Sequence, residues 1–88
     1  MRCNQETAAL LGTPLHEVTE REITEISVDS RSVTRPEGTL FFALKGVNHD
    51  AHDYIPALYG RGVRCFVVSR LLPEYEQWED AQFFRTDD

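Results

Sequence analysis

Three apolar runs of strand length constrain the fold of this chain more than any other feature of its sequence. They cover residues 39–44, 64–69 and 81–86, and each contains at least two adjacent bulky apolar residues. A strand that is apolar on both faces lies inside a sheet whose two sides are covered, because a face in contact with water would be polar. These runs therefore predict buried strands of one covered sheet.

Sequence patterns typical of helices occur before and between the three apolar runs. Residues 5–11 follow an asparagine, a residue type that commonly caps helices, and residues 72–78 predict a short amphipathic helix. Asp53 is the expected cap of a further helix, in which Pro56 is the third residue and a glycine ends the last turn. The missing N–H of a proline costs nothing in the first turn of a helix, so we prefer Asp53 to Asp50 as this cap.

Residues 25–29 predict one more strand, because their polarity alternates. Ile26 and Val28 point one way, and Ser27 and Asp29 point the other way. Strands that are separated by helices pair in parallel through right-handed crossover connections. The predicted fold is a small three-layer α/β domain with a mostly parallel sheet.

The length of 88 residues fits a single domain, and 41% hydrophobic with 27% charged residues is an ordinary globular composition. The chain ends on a predicted strand with little after it, although an α/β sheet needs cover on both faces. We therefore expect residues 1–88 to be one domain of a longer protein that continues past Asp88.

Charge and motifs exclude several classes of function. Nine basic and 15 acidic residues give a net charge of −6, which disfavours nucleic acid and anionic membranes as partners. The chain has no apolar run of the roughly 18 residues that a membrane helix needs, and its start does not resemble a secretion signal. It contains no phosphate-binding glycine loop and no hydrolase motif, so we predict no catalytic residue and no cofactor bound by these residues alone.

The two cysteines bear on the cellular compartment of the protein. Cys65 lies within an apolar run, where a buried reduced thiol is the usual state, and Cys3 is the only other cysteine. A reduced thiol is expected in preference to a disulfide, and a cytoplasmic location follows as the default.

Two polar segments leave predicted strands at what should be the same edge of the sheet. Residues 29–31, Asp-Ser-Arg, follow one strand, and residues 46–53 follow the next. Ligands of α/β sheets bind beyond the carboxyl ends of the strands. A serine hydroxyl can bond a base or ribose, and an arginine can reach a phosphate. Composition alone favours a plain polar turn for the first segment, capped by Asp29 and with Asp29 paired to Arg31 or another cation, because such turns are common.

The second segment also raises the question of a metal. His49 and His52 lie three residues apart among carboxylates, a spacing that zinc can use. We predict no metal site, because the sequence offers no second cluster of ligands, and helix capping and loop hydrogen bonds account for these residues. The aromatic residues are expected in the core rather than on a stacking surface. They are Phe41, Phe42, Tyr54, Phe66, Phe83 and Phe84.

Taken together, four segments resemble the N-terminal domain of the Mur ligases, which build the peptide stem of peptidoglycan. They are residues 26–31, 38–46, 50–55 and 62–70, in the same order and at matching spacing. The resemblance implies that this domain binds the UDP end of a UDP-MurNAc-peptide. It also implies a parent chain in which a central domain binds ATP and magnesium and a C-terminal domain brings the amine that attacks an acyl phosphate. The 88 residues alone could not carry out that ligation.

Within the family, Asp50-Ala51-His52 is similar to members that add D-alanyl-D-alanine to UDP-MurNAc-tripeptide, whereas members that add the third amino acid more often show Asp-Gly. Some bacteria fuse such a ligase to an alanine racemase, which these residues leave open. The residues that the resemblance implies for the uridine are Val28, Ser30, Val47, Asn48 and His49. Arg31 and Lys45 are implied to hold either the loop or the ligand.

A second hypothesis comes from composition alone. Glutamate and aspartate are frequent from residue 74 to the end of the chain, usually the mark of a solvated face. A free-standing α/β module could use such an acidic face to bind a basic protein partner.

Overall fold

The structure, a computed structural model, describes residues 2–16, 18–43 and 50–86. It contains seven strands and two α-helices in this part of the chain, with four short 3₁₀ turns between them. The strands are β1 (Arg2–Cys3), β2 (Thr13–Pro14), β3 (Arg21–Glu22), β4 (Glu25–Ser27), β5 (Thr39–Phe42), β6 (Cys65–Val68) and β7 (Gln82–Arg85). The helices are α1 (Gln5–Leu11) and α2 (Ile55–Arg61), and the 3₁₀ turns are Ser30–Ser32, Pro36–Gly38, Ala51–Tyr54 and Pro73–Gln77.

Five of the strands form one sheet in the order β2-β7-β6-β5-β4. The pairs β4–β5, β5–β6 and β6–β7 are parallel, and β2 pairs antiparallel with β7 at one edge. Strands β1 and β3 form a separate antiparallel pair. The prediction of an α/β domain with a mostly parallel sheet is therefore confirmed, and β4 occupies the other edge.

The core lies on both faces of this sheet, because side chains alternate along each strand. On one face Phe41, Phe66 and Phe83 pack with α2 and with Tyr75. The rings of Phe66 and Phe83 stack at 5.0 Å, and those of Tyr75 and Phe83 stack at 4.3 Å. On the other face a second cluster includes α1 and both cysteines; its buried members are Cys3, Ala8, Ile23, Leu40, Cys65, Val67 and Phe84. Helices on opposite faces give the three layers that the sequence predicts.

The start of the second helix differs from the prediction. Asp53 does not cap it; Asp50 instead caps a preceding 3₁₀ turn, and its side chain accepts a hydrogen bond from the backbone N–H of His52 at 3.0 Å. The 3₁₀ turn Ala51–Tyr54 follows, and α2 begins at Ile55, so Pro56 is its second residue. The proline thus lies in the first turn of the α-helix, where its missing N–H costs little.

Two smaller predictions also need correction. Residues 72–78 do not form an amphipathic α-helix, because only the 3₁₀ turn Pro73–Gln77 occurs there. Tyr54 is not a core residue, since 41% of it is exposed. The other predicted core aromatics are buried, except that Phe42 is only partly buried.

Exposure alternates along β4 as predicted, but the apolar side chains face outward. Ile26 and Val28 are 61% and 58% exposed, whereas Ser27 is only 5% exposed. The side chain of Ser27 turns inward because its hydroxyl bonds the chain that follows the strand. Val28 is therefore free to line a surface cleft.

Both cysteines are buried and free of any disulfide, as expected. Burial raises the pKa of Cys65 to about 12 and also raises the pKa of Cys3. Within the residues that the structure describes, no helix has the length and apolar character needed to cross a membrane.

Candidate functional site

A cleft of about 340 Å³ opens at the edge of the sheet where β4 and β5 end. One wall is the chain that leaves β4, and the other is the 3₁₀ turn that leads into α2. Its lining residues are Val28, Asp29, Ser30, Arg31, Phe41, Ala51 and Tyr54. This is the carboxyl edge of parallel strands, where ligands of α/β proteins bind.

The first wall is a turn whose hydrogen bonds centre on Asp29. The Asp29 carboxylate accepts hydrogen bonds from the backbone N–H of Arg31 at 2.9 Å and from its guanidinium at 3.2 and 3.0 Å. These contacts raise the pKa of Arg31 above its usual value. The arginine side chain remains 89% exposed, so the ion pair stiffens the turn more than it stabilises the fold.

The hydroxyl groups of Ser27 and Ser32 also hold this turn through hydrogen bonds to its backbone. The Ser27 hydroxyl donates to the carbonyl oxygen of Asp29 at 2.7 Å and lies 2.9 Å from the Ser32 hydroxyl. The Ser32 hydroxyl also reaches the carbonyl oxygen of Asp29, at 2.9 Å. Ser30, by contrast, is half-buried at the cleft, and within the described ranges its hydroxyl has no hydrogen-bond partner. A ligand could therefore use it as donor or acceptor.

The second wall is held by a network around a buried histidine. His52 Nδ1 lies 2.6 Å from Asp50 Oδ1, and the backbone N–H of Ser69 donates to His52 Nε2 at 3.1 Å. Because a backbone N–H can only donate, Nε2 is the acceptor, and Nδ1 carries the ring proton and donates a hydrogen bond to the Asp50 carboxylate. Arg70 completes the network through a 2.6 Å ion pair with Asp50.

The same network controls the charge of Asp50. Desolvation alone would raise the pKa of this carboxyl group, but hydrogen bonds from the backbone and ring of His52 and from Arg70 outweigh it. The pKa of Asp50 therefore lies well below its usual range. Both ring nitrogens of His52 are engaged, and the described part of the chain has no group of three or more residues suited to bind a metal ion. The expected loop hydrogen bonds of His52 are confirmed.

The structure brings together three of the residues that the resemblance implies for the uridine or its loop: Val28, Ser30 and Arg31. Lys45, Val47, Asn48 and His49 lie outside the described residues.

Sequence reasoning missed Phe41, Ala51 and Tyr54 as lining residues. Tyr54 could have been predicted from its position, because it directly follows the polar segment 46–53 that leaves a strand at the predicted edge of the sheet.

The family becomes clear from comparison with known proteins. The sequence model described as "Mur ligase family, catalytic domain" matches residues 22–82, more than half of the chain. The chain belongs to the Mur ligase family. Its relatives include the UDP-N-acetylmuramoyl-L-alanyl-D-glutamate–2,6-diaminopimelate ligase of Cytophaga hutchinsonii, which is 34% identical over 70 residues, or 80% of this chain and 14% of that protein.

A ligase of the same name from Geobacter metallireducens is 46% identical over 59 residues, which is 65% of this chain and 11% of that protein. The chain thus spans 9% to 14% of the length of the curated Mur ligases it matches.

Solved structures agree on the fold. A crystal structure of MurF from Acinetobacter baumannii matches all of this chain and 18% of its own, with a TM-score of 0.72 and 22% identity. A structure of UDP-N-acetylmuramoylalanyl-D-glutamyl-2,6-diaminopimelate–D-alanyl-D-alanyl ligase from the same organism matches all of this chain and 19% of its own, with a TM-score of 0.71 and 22% identity. This Mur ligase chain therefore shares the fold of those domains.

Proposed function

We propose that the cleft binds the uridine end of a UDP-MurNAc-peptide, and that this chain is the substrate-recognition domain of a Mur ligase in peptidoglycan precursor synthesis. The observation that carries the proposal is the cleft itself. Val28, Ser30 and Arg31, which the family resemblance implies for the ligand or its loop, line one wall of it.

The chemistry of the cleft suits a nucleoside. Val28 and Phe41 offer apolar contact, Tyr54 offers an exposed aromatic face, and Ser30 offers a hydroxyl for the base or ribose. Because Asp29 holds the guanidinium of Arg31, we assign Arg31 to the turn rather than to the ligand. A neutral uridine needs no basic field, so the net charge of −6 does not oppose its binding.

The remaining predicted residues belong to the same proposal. Val47, Asn48 and His49 would complete the uracil pocket, and Lys45 would hold their loop or the ligand. The parent chain would supply ATP and magnesium through a central domain and the incoming amine through a C-terminal domain, in the cytoplasm. Uridine recognition would be common to every stem-building member, so it does not depend on which amine is added.

Two amines are candidates for the parent enzyme. The Ala51 form of the motif favours D-alanyl-D-alanine, whereas the curated relatives at 34% to 48% identity are named as 2,6-diaminopimelate ligases. Ligation assays of the full parent enzyme with ATP and magnesium would separate them. Turnover of UDP-MurNAc-tripeptide with D-alanyl-D-alanine supports the first, and turnover of UDP-MurNAc-dipeptide with diaminopimelate supports the second.

The alternative, an acidic interaction module, loses one of its described acidic residues to contacts within the domain. Asp80, one of its acidic residues, accepts hydrogen bonds from the Tyr59 hydroxyl at 2.6 Å and from Arg64 at 3.0 Å. These contacts lower the pKa of Asp80 and use its charge within the domain.

Titration of UDP into the ¹⁵N-labelled chain tests uridine binding. We expect amide shifts that saturate at millimolar UDP and cluster at Val28, Ser30 and Tyr54, with no comparable response to ADP. Ser30→Ala should weaken binding about 3- to 10-fold, because a neutral hydrogen bond contributes about 1 kcal/mol. Thr13→Ala, which removes a hydroxyl from β2 at the opposite edge of the sheet, is the matched control and should bind as the wild type does. Shifts that spread evenly, or that ADP reproduces, would contradict the proposal.

A further inference from the structure

Arg61 joins the two walls of the cleft, although it does not line it. This residue ends α2, and its guanidinium donates to the carbonyl oxygen of Ser30 at 3.2 Å through Nη1 and to that of Val33 at 2.8 Å through Nη2. The two acceptors lie at the beginning and just past the end of the turn Ser30–Ser32. One side chain therefore spans the whole turn that forms the first wall.

The second wall belongs to the same helical segment as Arg61. Ala51 and Tyr54 lie in the 3₁₀ turn that runs directly into α2, and Arg61 is the last residue of that helix. The 3₁₀ turn and α2 form a continuous helical stretch from Ala51 to Arg61. A movement of the Ser30 turn away from Arg61 is thus a movement of one wall relative to the other.

The turn is also held by hydrogen bonds of its own. Asp29 bonds the backbone N–H of Arg31, and the backbone N–H of Ser32 donates to the carbonyl oxygen of Asp29 at 3.0 Å. These bonds fix the turn internally but do not reach α2. The planar fork of an arginine suits two acceptors at a fixed separation, which a lysine cannot match.

We infer that Arg61 is a positioning residue that sets the distance between the two walls of the cleft and thereby the affinity for the uridine. The inference rests on the proposed function of the cleft. The side chain lies at the surface, so water can replace its hydrogen bonds when it is removed, and the cost to folding is small. The cost to binding is larger, because a wall that is free to shift must be ordered when the ligand binds.

UDP titrations of the wild type, Arg61→Ala, Arg61→Lys and Arg2→Ala test this role, with urea unfolding measured for each. Arg2 is the matched control, an exposed arginine whose guanidinium bonds Glu20 and no part of the cleft. We expect Arg61→Ala to bind UDP about tenfold more weakly, Arg61→Lys to recover part of that loss, and Arg2→Ala to bind as the wild type does. All four proteins should unfold at similar urea concentrations.

The outcomes separate this inference from the function it rests on. If the wild type binds UDP and Arg61→Ala binds it with the same affinity, the inference alone is overturned. A loss of UDP affinity in Arg61→Ala that is matched by an equal loss of folding stability overturns it too. If Arg61→Ala does not fold, weaker binding by a stable Arg61→Lys supports the inference, and unchanged binding by that variant overturns it. Failure of the wild type to bind UDP overturns the proposed function and the inference together.

Discussion

Ser27 determines which side chains of the strand next to the cleft face outward. Its hydroxyl is buried, and a buried polar group must find a partner. That partner is the carbonyl oxygen of Asp29, so Ser27 faces inward and its neighbours Ile26 and Val28 face outward. Because Ser27 faces inward on this edge strand, the side chain of Val28 faces outward and lines the cleft.

Glu25 makes a pH-dependent contribution at the base of the same strand. Its carboxylate accepts hydrogen bonds from the Thr34 hydroxyl at 2.7 Å, the Thr39 hydroxyl at 2.8 Å and the backbone N–H of Thr34 at 3.0 Å. These bonds, with one from the backbone of Arg35, lower its pKa from 4.5 to about 2. The carboxylate thereby ties β4 to the chain that leads into β5.

We predict that this contribution is fully present above about pH 4.5 and is lost as the pH falls toward 2, because the folded state holds the ionised form more strongly than the unfolded state does. Urea unfolding between pH 2 and 7 measures it. Glu25→Gln should unfold at lower urea than the wild type at pH 7, and the difference should shrink toward pH 2. A difference that stays constant with pH would contradict this role for Glu25.

At the scale of elements, one glycine at the end of α1 and one inside α2 are in different surroundings. Gly12 follows α1 with a φ of +142°, and a Cβ at this position would collide with the carbonyl oxygen of Arg85 in β7. Gly60 lies inside α2, and a Cβ there would meet nothing within 4 Å. The first glycine is required by a close approach of two backbones, and the second is not.

These two glycines make a matched pair of substitutions. Gly12→Ala should lower the free energy of unfolding by about 1–3 kcal/mol through backbone strain and the collision with β7. Gly60→Ala should raise it by about 0.5 kcal/mol, because alanine is the better helix former. Urea denaturation at pH 7 measures both. Equal effects of the two substitutions would contradict the close packing of α1 against β7.

The same elements show what the sequence can and cannot reveal. The strands around Phe41, Phe66 and Phe83 were predictable because burial on both faces leaves a continuous apolar run. The choice of Asp50 over Asp53 as the cap was not, because the two carboxylates are equally good caps locally. The choice depends on tertiary contacts of Asp50, including its ion pair with Arg70.

Short elements and long-range contacts escape sequence patterns for similar reasons. Strand β2 has only two residues, too few to show any periodicity. The contact of Arg61 with the Ser30 turn joins residues 31 positions apart, and a single arginine at the end of a helix carries no signal of such a partner. The place of the cleft was predictable from the rule for parallel strands, but three of its seven lining residues were not.

At the scale of the whole molecule, most of the core and the cleft occupy different parts of the sheet. Its two faces are buried under helices and aromatic side chains, and the cleft lies at the edge where β4 and β5 end. Most residues that line the cleft therefore lie outside the core; Phe41 and Ala51 belong to both. This arrangement suits a domain that holds one end of a long substrate while other parts of a larger enzyme act on the distant end, since binding energy gained far from the reacting group can orient it.

Intermolecular NOEs between UDP and the methyl-labelled chain test the central claim most directly. If the cleft binds the uridine, protons of the uracil or ribose should show NOEs to the Val28 methyl groups and to the Tyr54 ring. They should show none to Val18, which packs against the cluster that contains both cysteines and does not line the cleft. NOEs confined to Val18 and its neighbours, or none at saturating UDP, would contradict it.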